Sequence, residues 1–130
     1  MDITNSKPKK ILVVDDEKDI QPLFLQMFRS EIKKKLIEFD FAFSGLEALH
    51  SLSKAHKKDY VLILSDINMP GMSGLDLLKE IKSAQSSQKV MIITAFGDDD
   101  NYKKAVEYGA NDFLVKPIDF KNLKSKIFCI

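Results

Sequence analysis

Short aliphatic runs alternate with amphipathic segments along the chain from Ile11 onward. The aliphatic runs are β-branched or leucine-rich and lack helical periodicity, which is typical of strands buried on both faces. The segments between them carry apolar residues at helical spacing. This alternation predicts an α/β fold, in which a parallel sheet is covered by helices on both faces. Each βα unit is about as long as a right-handed crossover requires.

The pattern predicts five strands and five helices. The predicted strands are Ile11 to Val14, Leu36 to Phe41, Val61 to Ser65, Val90 to Thr94 and Asp112 to Val115. The predicted helices run near Asp19 to Lys34, Gly45 to Ala55, Gly74 to Ser83 and Asp99 to Tyr108, and a last one begins at about Asp119. Two boundaries carry specific signals, because Asp119 is a good N-cap and Gly109 is a good residue just past a helix end.

The bulk properties indicate one folded domain. The chain has 130 residues, 45% of them hydrophobic and 30% charged, which suits a single globular domain and is too apolar for a disordered chain. Residues 1–9 are polar and predict a flexible leader, followed by a domain over residues 10–130.

Charge and cysteine content exclude several classes of function. With 20 basic and 19 acidic residues the net charge is +1, so no strong field draws the chain to nucleic acid or to an anionic membrane. The single cysteine, Cys129, rules out an intrachain disulfide and a cysteine-rich metal site. No apolar run approaches the roughly 20 residues of a membrane span, and the first residues do not resemble a signal peptide. We therefore expect a cytoplasmic protein that neither enters membranes nor binds nucleic acid directly.

Polar residues of a particular kind stand at or just past the ends of four predicted strands. They are Asp15, Asp16, Asp66, Thr94 and Lys116. In an open parallel sheet the carboxyl ends of the strands converge, and ligands bind in the crevice there. Three carboxylates in one crevice repel one another unless some are protonated or a cation lies among them. Mg²⁺ suits such a cluster, because it is usually held by one or two carboxylates and keeps several waters.

Each of these residues also has a simpler explanation. Asp15 and Asp16 could provide the acidic first turn of a helix, and Asp66 could start a turn that Pro70 and Gly71 would favour. Thr94 could simply end a strand, and Lys116 could be solvated. Together, however, an acidic pair, a carboxylate, a hydroxyl and a lysine are what a phosphoryl-transfer site requires.

Four motifs resemble the receiver domain of two-component response regulators, over nearly the whole chain from about Lys10 to Ile127. They are Ile11 to Glu17 (ILVVDDE), Ser65 to Gly74 (SDINMPGMSG), Ile93 to Ala95 (ITA) and Gly109 to Pro117 (GANDFLVKP). The resemblance implies a single five-stranded parallel sheet of strand order 2-1-3-4-5, the order known for this fold family. Periodicity alone predicts only the alternation of strands and helices.

The resemblance also assigns roles to the residues of the crevice. Asp66 looks like the phosphoacceptor, and Asp15 and Asp16 look like the acidic pair that binds Mg²⁺, with Asp16 as the more direct ligand. Asp66 itself and the backbone carbonyl of Asn68 would complete the protein's share of the metal shell.

The remaining motif residues have roles in sensing the phosphoryl group. Lys116 would pair with Asp66 or its phosphate, and Thr94 would offer its hydroxyl to a phosphate oxygen. The peptide between Lys116 and Pro117 is commonly cis in the family, as proline allows. Phe113 occupies the position of a switch aromatic, where tyrosine is more usual.

The implied function is a phosphorylation-operated signalling switch and not a metabolic enzyme. The phosphodonor would be a phosphohistidine on a sensor histidine kinase or a phosphotransfer protein, and the output would pass to an effector domain or a downstream protein. The expected responding surface lies around the fourth helix and fifth strand, near Tyr102, Lys103 and Tyr108.

Three other functions fit the sequence less well. A flavodoxin-like electron carrier shares the fold, but its first loop should be rich in small and hydroxyl residues and not acidic. An aspartate-dependent phosphatase would normally have a second Asp where this chain has Asn68, so a general acid is missing. A degenerate receiver that only binds partners is disfavoured, because every expected side chain is present.

Overall fold

The computed structural model describes residues 7–53 and 60–130, so residues 1–6 of the predicted leader and the end of the second predicted helix, including Ala55, lie outside the described residues. The strands are β1 (Lys9–Val14), β2 (Ile37–Ala42), β3 (Leu62–Asp66), β4 (Val90–Thr94) and β5 (Asp112–Val115). The helices are α1 (Ile20–Met27), α2 (Arg29–Lys33), α3 (Gly45–Ser53), α4 (Gly74–Ala84), α5 (Asp99–Glu107) and α6 (Phe120–Phe128).

The strands form one sheet in the order β2-β1-β3-β4-β5, and every neighbouring pair is parallel. The α/β class and the order 2-1-3-4-5 are therefore confirmed. β3 lies at the centre, with β1 on one side and β4 on the other, so the ends of these three strands are adjacent.

Alternate strand residues face two separate cores, which explains why the strands are apolar without a polar face. Leu12 and Val14 of β1 pack in a core with residues of α3, α4 and α5. Ile11 and Val13 point to the opposite core, where they meet residues of α1, α2 and α6. The helices thus cover both faces, as predicted.

The prediction of one continuous helix from Asp19 to Lys34 is wrong, because the structure has two helices there, α1 and α2. The backbone leaves helical geometry at Phe28, with φ −106° and ψ 17°, while the Phe28 ring stays fully buried and stacks on Phe24. α2 ends at Lys33, and Lys35, two residues further on, has a left-handed φ of 60°. The predicted end at Lys34 lies one residue past the observed end, whereas the break at Phe28 carries no glycine or proline signal in the sequence.

The two specific boundary signals are confirmed. The Asp119 carboxylate accepts hydrogen bonds from the backbone N–H groups of Lys121 and Asn122 at the start of α6. Gly109 follows α5 with φ 95°. The other described bounds match the predictions or shift by one or two residues, and the first strand begins at Lys9, inside the stretch predicted as leader. Within the described residues, no helix is long and apolar enough to cross a membrane.

Candidate functional site

Four neighbouring strands deliver the predicted residues to one rim of the sheet. Asp15 follows the end of β1, Asp66 ends β3, Thr94 ends β4 and Lys116 follows β5. Asp15, Asp66 and Thr94 are buried. Since the strands are parallel and adjacent, all of these residues lie at the same edge, and the backbone N–H of Lys116 donates to the Thr94 carbonyl at 2.9 Å.

The acidic side chains form a tight cluster. One carboxylate oxygen from each of Asp15, Asp16 and Asp66 lies within 4.8 Å of the other two. An octahedral Mg²⁺ with ligands at about 2.1 Å has opposite ligands about 4 Å apart. The cluster therefore has the donor type and nearly the dimensions that a magnesium ion requires.

Lys116 makes the direct contact with the central carboxylate. Its Nζ lies 3.1 Å from Asp66 Oδ1. The Asp66 side chain is only 4% exposed, whereas that of Lys116 is 38% exposed, so the ion pair reaches from the core to the surface. The sequence reading of Lys116 as a merely solvated lysine is therefore wrong.

Burial dominates the electrostatics of the two aspartates. It raises the pKa of Asp66 above the ordinary 3.8, and the hydrogen bond and charge of Lys116 lower that pKa by less. The pKa of Asp15 is also raised, first by burial, although a hydrogen bond from the Glu17 N–H opposes the shift. The ionised forms of both carboxylates are thus disfavoured, which is the condition under which a cation binds favourably.

The Lys116 ammonium shows the opposite balance. Its burial lowers its pKa, but the hydrogen bond and charge of Asp66, helped by the charges of Asp15 and Glu17, outweigh that effect and leave the pKa raised. Lys116 is therefore a fixed positive charge at the rim.

The acidic residues after β1 do not begin the first helix. α1 has no acidic residue in its first turn, and the Asp15 carboxylate instead accepts the Glu17 backbone N–H at 3.0 Å. The reading of Asp15 and Asp16 as a helix first turn is therefore wrong, and both side chains are directed to the crevice cluster.

The other predicted residues lie around this cluster. Thr94 Oγ1 donates a long hydrogen bond of 3.5 Å to the Ala95 carbonyl, and Asn68 is exposed in the loop after β3. Phe113 is partly buried on β5, and the Lys116–Pro117 peptide bond is cis.

A glycine contact at Asp66 was not anticipated from the sequence. α4 begins at Gly74, and a Cβ added there would lie 2.1 Å from the Asp66 carbonyl oxygen. The Gly74 N–H also donates to the Ile67 carbonyl at 2.8 Å. Its only signal in the sequence was a glycine directly after Ser73, the N-cap of α4. α4 thus supports the backbone that carries the central carboxylate.

Comparison with known proteins places the chain in a family. A family model described as the response regulator receiver domain matches residues 11–128, so the chain belongs to this family. It is 32% identical over 119 residues to sporulation initiation phosphotransferase F of Bacillus subtilis, covering 92% of this chain and 90% of that protein. It is also 32% identical to response regulator ArlR of Staphylococcus saprophyticus, over 91% of this chain but 50% of ArlR. The chain therefore spans about half the length of some curated relatives that it matches.

Solved structures agree with this assignment. A response regulator receiver domain protein from Clostridium thermocellum superposes with a TM-score of 0.81 at 32% identity, covering 92% of this chain and 91% of that one. The fold and the family are therefore the same as those predicted from the four motifs.

Proposed function

We propose that this chain is a phosphorylation-operated switch in which Asp66 accepts a phosphoryl group with the help of Mg²⁺. The observation that carries the proposal is the arrangement at Asp66: a buried carboxylate, Lys116 Nζ at 3.1 Å and the oxygens of Asp15 and Asp16 within 4.8 Å. Phosphoryl transfer depends mainly on positioning and charge neutralisation, and this arrangement supplies both.

Asp15, Asp16 and Asp66 would hold the metal, together with the backbone carbonyl of Asn68. When bound, Mg²⁺ would neutralise charge that develops on the phosphoryl oxygens. Asp66 would act as the nucleophile, so that an Asp66 oxygen forms a bond to phosphorus as the donor nitrogen leaves. Lys116 would hold one phosphate oxygen, and Thr94 would donate its hydroxyl to another.

The donor would be a phosphohistidine on a sensor histidine kinase or a phosphotransfer protein, and the acceptor would signal to an effector domain or a separate downstream protein. The protein would act in the cytoplasm, where such donors are found. It would be regulatory and catalyse only its own phosphoryl transfer and dephosphorylation. Family membership and the complete crevice favour this function over an electron carrier or a phosphatase.

Intact-mass measurement tests the proposal directly. The protein is incubated with a small phosphodonor, with and without Mg²⁺, and we expect the mass of one phosphoryl group to be added only when Mg²⁺ is present. Asp66→Asn should take up none. Asp100→Asn, at an exposed carboxylate in the first turn of α5, is the matched control and should behave as the wild type. Equal uptake by wild type and Asp66→Asn would refute the assignment of Asp66.

A further inference from the structure

α5 is attached to the rest of the molecule by few buried side chains. Of its residues, only Ala105 is buried. α4 beside it buries four large aliphatic side chains, those of Leu75, Leu77, Leu78 and Ile81. Elements with few buried apolar contacts open at low free-energy cost, so α5 depends strongly on any additional contact.

An aromatic pair supplies that contact. The rings of Tyr102 on α5 and Phe113 on β5 have centroids 4.5 Å apart and are tilted by 48°. This is the shortest ring separation among the described residues, and the other ring pairs all belong to one phenylalanine cluster on the opposite face of the sheet. Phe113 packs against the core that contains Ala105, whereas Tyr102 is 46% exposed. The pair therefore joins the first half of α5 to the sheet.

α5 is also connected to the rim in two ways. Thr94 ends β4, and only residues 95–98 separate it from the start of α5. Within the described part of the chain, the Thr94 hydroxyl has one hydrogen-bond partner, the Ala95 carbonyl of that same linker, at a weak 3.5 Å. Phe113 lies in register with Ile92 on β4 and precedes Lys116 by three residues. A change at the rim can thus reach α5 through the linker and through the ring pair.

We infer that Tyr102 is a positioning residue whose ring, packed on Phe113, holds the first half of α5 in place and makes that half respond to the state of Asp66. The response to Asp66 rests on the proposed function, while the holding role does not. If the Thr94 hydroxyl turns toward a group on Asp66, its bond to Ala95 is released, and the ring pair carries the change in the sheet to the first half of α5. The ring and not the hydroxyl of Tyr102 carries this role.

Hydrogen exchange of the α5 backbone amides tests the holding role in the unmodified protein. Tyr102→Ala should speed exchange over Asp99–Glu107 by about two- to tenfold, the range expected for loss of an aromatic pair. Tyr102→Phe keeps the ring and should match the wild type. Val106→Ala is the matched control, because Val106 is an exposed apolar residue of the same helix and is not a member of the Tyr102–Phe113 pair. Wild-type exchange rates in Tyr102→Ala, in a protein shown to be folded by its thermal transition, would overturn the inference.

The same measurement after incubation with a phosphodonor and Mg²⁺ tests the response. Intact mass reports uptake at Asp66, and we expect equal uptake in all three variants and the wild type. Exchange in α5 should change on uptake in wild type, Tyr102→Phe and Val106→Ala, and at least about twofold less in Tyr102→Ala. An equal change in Tyr102→Ala contradicts the inference. Absence of uptake by the wild type would refute the proposed function and with it the response, while the unmodified comparison still decides the holding role.

Discussion

At the scale of single residues, the defining feature is a carboxylate that the fold holds in an unfavourable environment. Asp66 is 3% exposed, and burial raises its pKa despite the ion pair with Lys116. The folded protein therefore disfavours the ionised side chain. Whatever brings positive charge to Asp66, or removes its negative charge, should stabilise the fold.

Replacing the charge of Asp66 should therefore increase stability. In the absence of Mg²⁺, we expect Asp66→Asn to raise the free energy of unfolding at neutral pH, because the amide avoids the cost of burying a carboxylate and the exposed part of Lys116 can be solvated. The pKa of Asp66 is higher in the folded state than in the unfolded state. Between these two pKa values the folded state binds more protons, so the contribution of Asp66 to stability falls as the pH rises through this window. The stability difference between variant and wild type should be largest above the folded pKa and shrink toward acid pH. Urea denaturation over a pH series measures it, and a difference that grows on acidification would contradict the raised pKa.

Mg²⁺ should bind through the acidic pair and stabilise the protein. We expect Asp16→Asn to weaken Mg²⁺ binding by at least about tenfold, since loss of a ligand should cost no less than loss of a supporting contact. Saturating Mg²⁺ at about 100 times its dissociation constant should add about 2.7 kcal/mol to the free energy of unfolding of the wild type. Titration calorimetry measures the affinity, with Asp100→Asn as the control that should leave it unchanged.

At the scale of elements, helix ends determine how closely the helices approach the site. α4 can begin against the backbone of Asp66 only because residue 74 has no Cβ. α2 and α5 end in the same hydrogen-bonding pattern, in which the N–H groups of two residues past the helix return to carbonyls of its last turn. Gly109 provides the left-handed residue after α5, and Lys35 provides it after α2.

Gly74→Ala should damage both stability and the site. The added methyl group would overlap the Asp66 carbonyl, which is backbone and cannot rotate away, so we expect a loss of about 1–3 kcal/mol and slower phosphoryl uptake. Gly71→Ala is the control: Gly71 has a left-handed backbone, which Gly74 does not, but nothing lies within 4 Å of an added Cβ there. It should lower stability without slowing uptake. Equal uptake by the two variants would show that the α4 contact does not support Asp66.

Lys35→Gly should stabilise the protein. The left-handed conformation costs a residue with a Cβ roughly 1–2 kcal/mol, and glycine avoids this cost. Part of the stability gained is lost again, because glycine has more conformational freedom in the unfolded chain. We expect a net gain of up to about 1 kcal/mol in the free energy of unfolding, measured with urea. Lys35→Ala retains the Cβ and should show no such gain, which separates backbone strain from the loss of the lysine charge.

At the scale of the whole molecule, one sheet separates two cores. The core beneath α1 and α6 is built around Phe24, whose ring contacts those of Phe28, Phe39, Phe41 and Phe120. This cluster lies on the face opposite the Tyr102–Phe113 pair. The phenylalanine cluster and the Tyr102–Phe113 pair therefore lie against different cores.

Phe24→Ala should lower the free energy of unfolding by about 3–5 kcal/mol, because it leaves a cavity at the centre of the ring cluster. That is a large fraction of the stability of a typical domain. Leu46→Ala, at a side chain that is 70% exposed, should change stability by no more than about 0.5 kcal/mol. Denaturation monitored by far-UV circular dichroism measures both, and similar losses in the two variants would contradict the assignment of the core.

The residue pattern predicted the fold class, the five strands and the strand-end residues Asp15, Asp16, Asp66, Thr94 and Lys116, whereas Asn68 and Phe113 were predicted from the resemblance. Strand and helix periodicity are local properties of the backbone, so runs such as Val90–Thr94 are recognisable without knowing their neighbours. The strand order was predicted from a resemblance, because hydrophobic pattern alone does not say which strands pair.

The distances within the site, and the places where the structure departs from the predictions, depend on how whole elements pack. Lys116 and Asp66 make their 3.1 Å contact from two strands that are not neighbours in the sheet. The helix breaks at Phe28, whose ring is fully buried. The close approach of Gly74 and the packing of Tyr102 on Phe113 likewise join residues from different elements. A sequence specifies which side chains are available, whereas the packing of whole elements sets how near they come and how much water they lose.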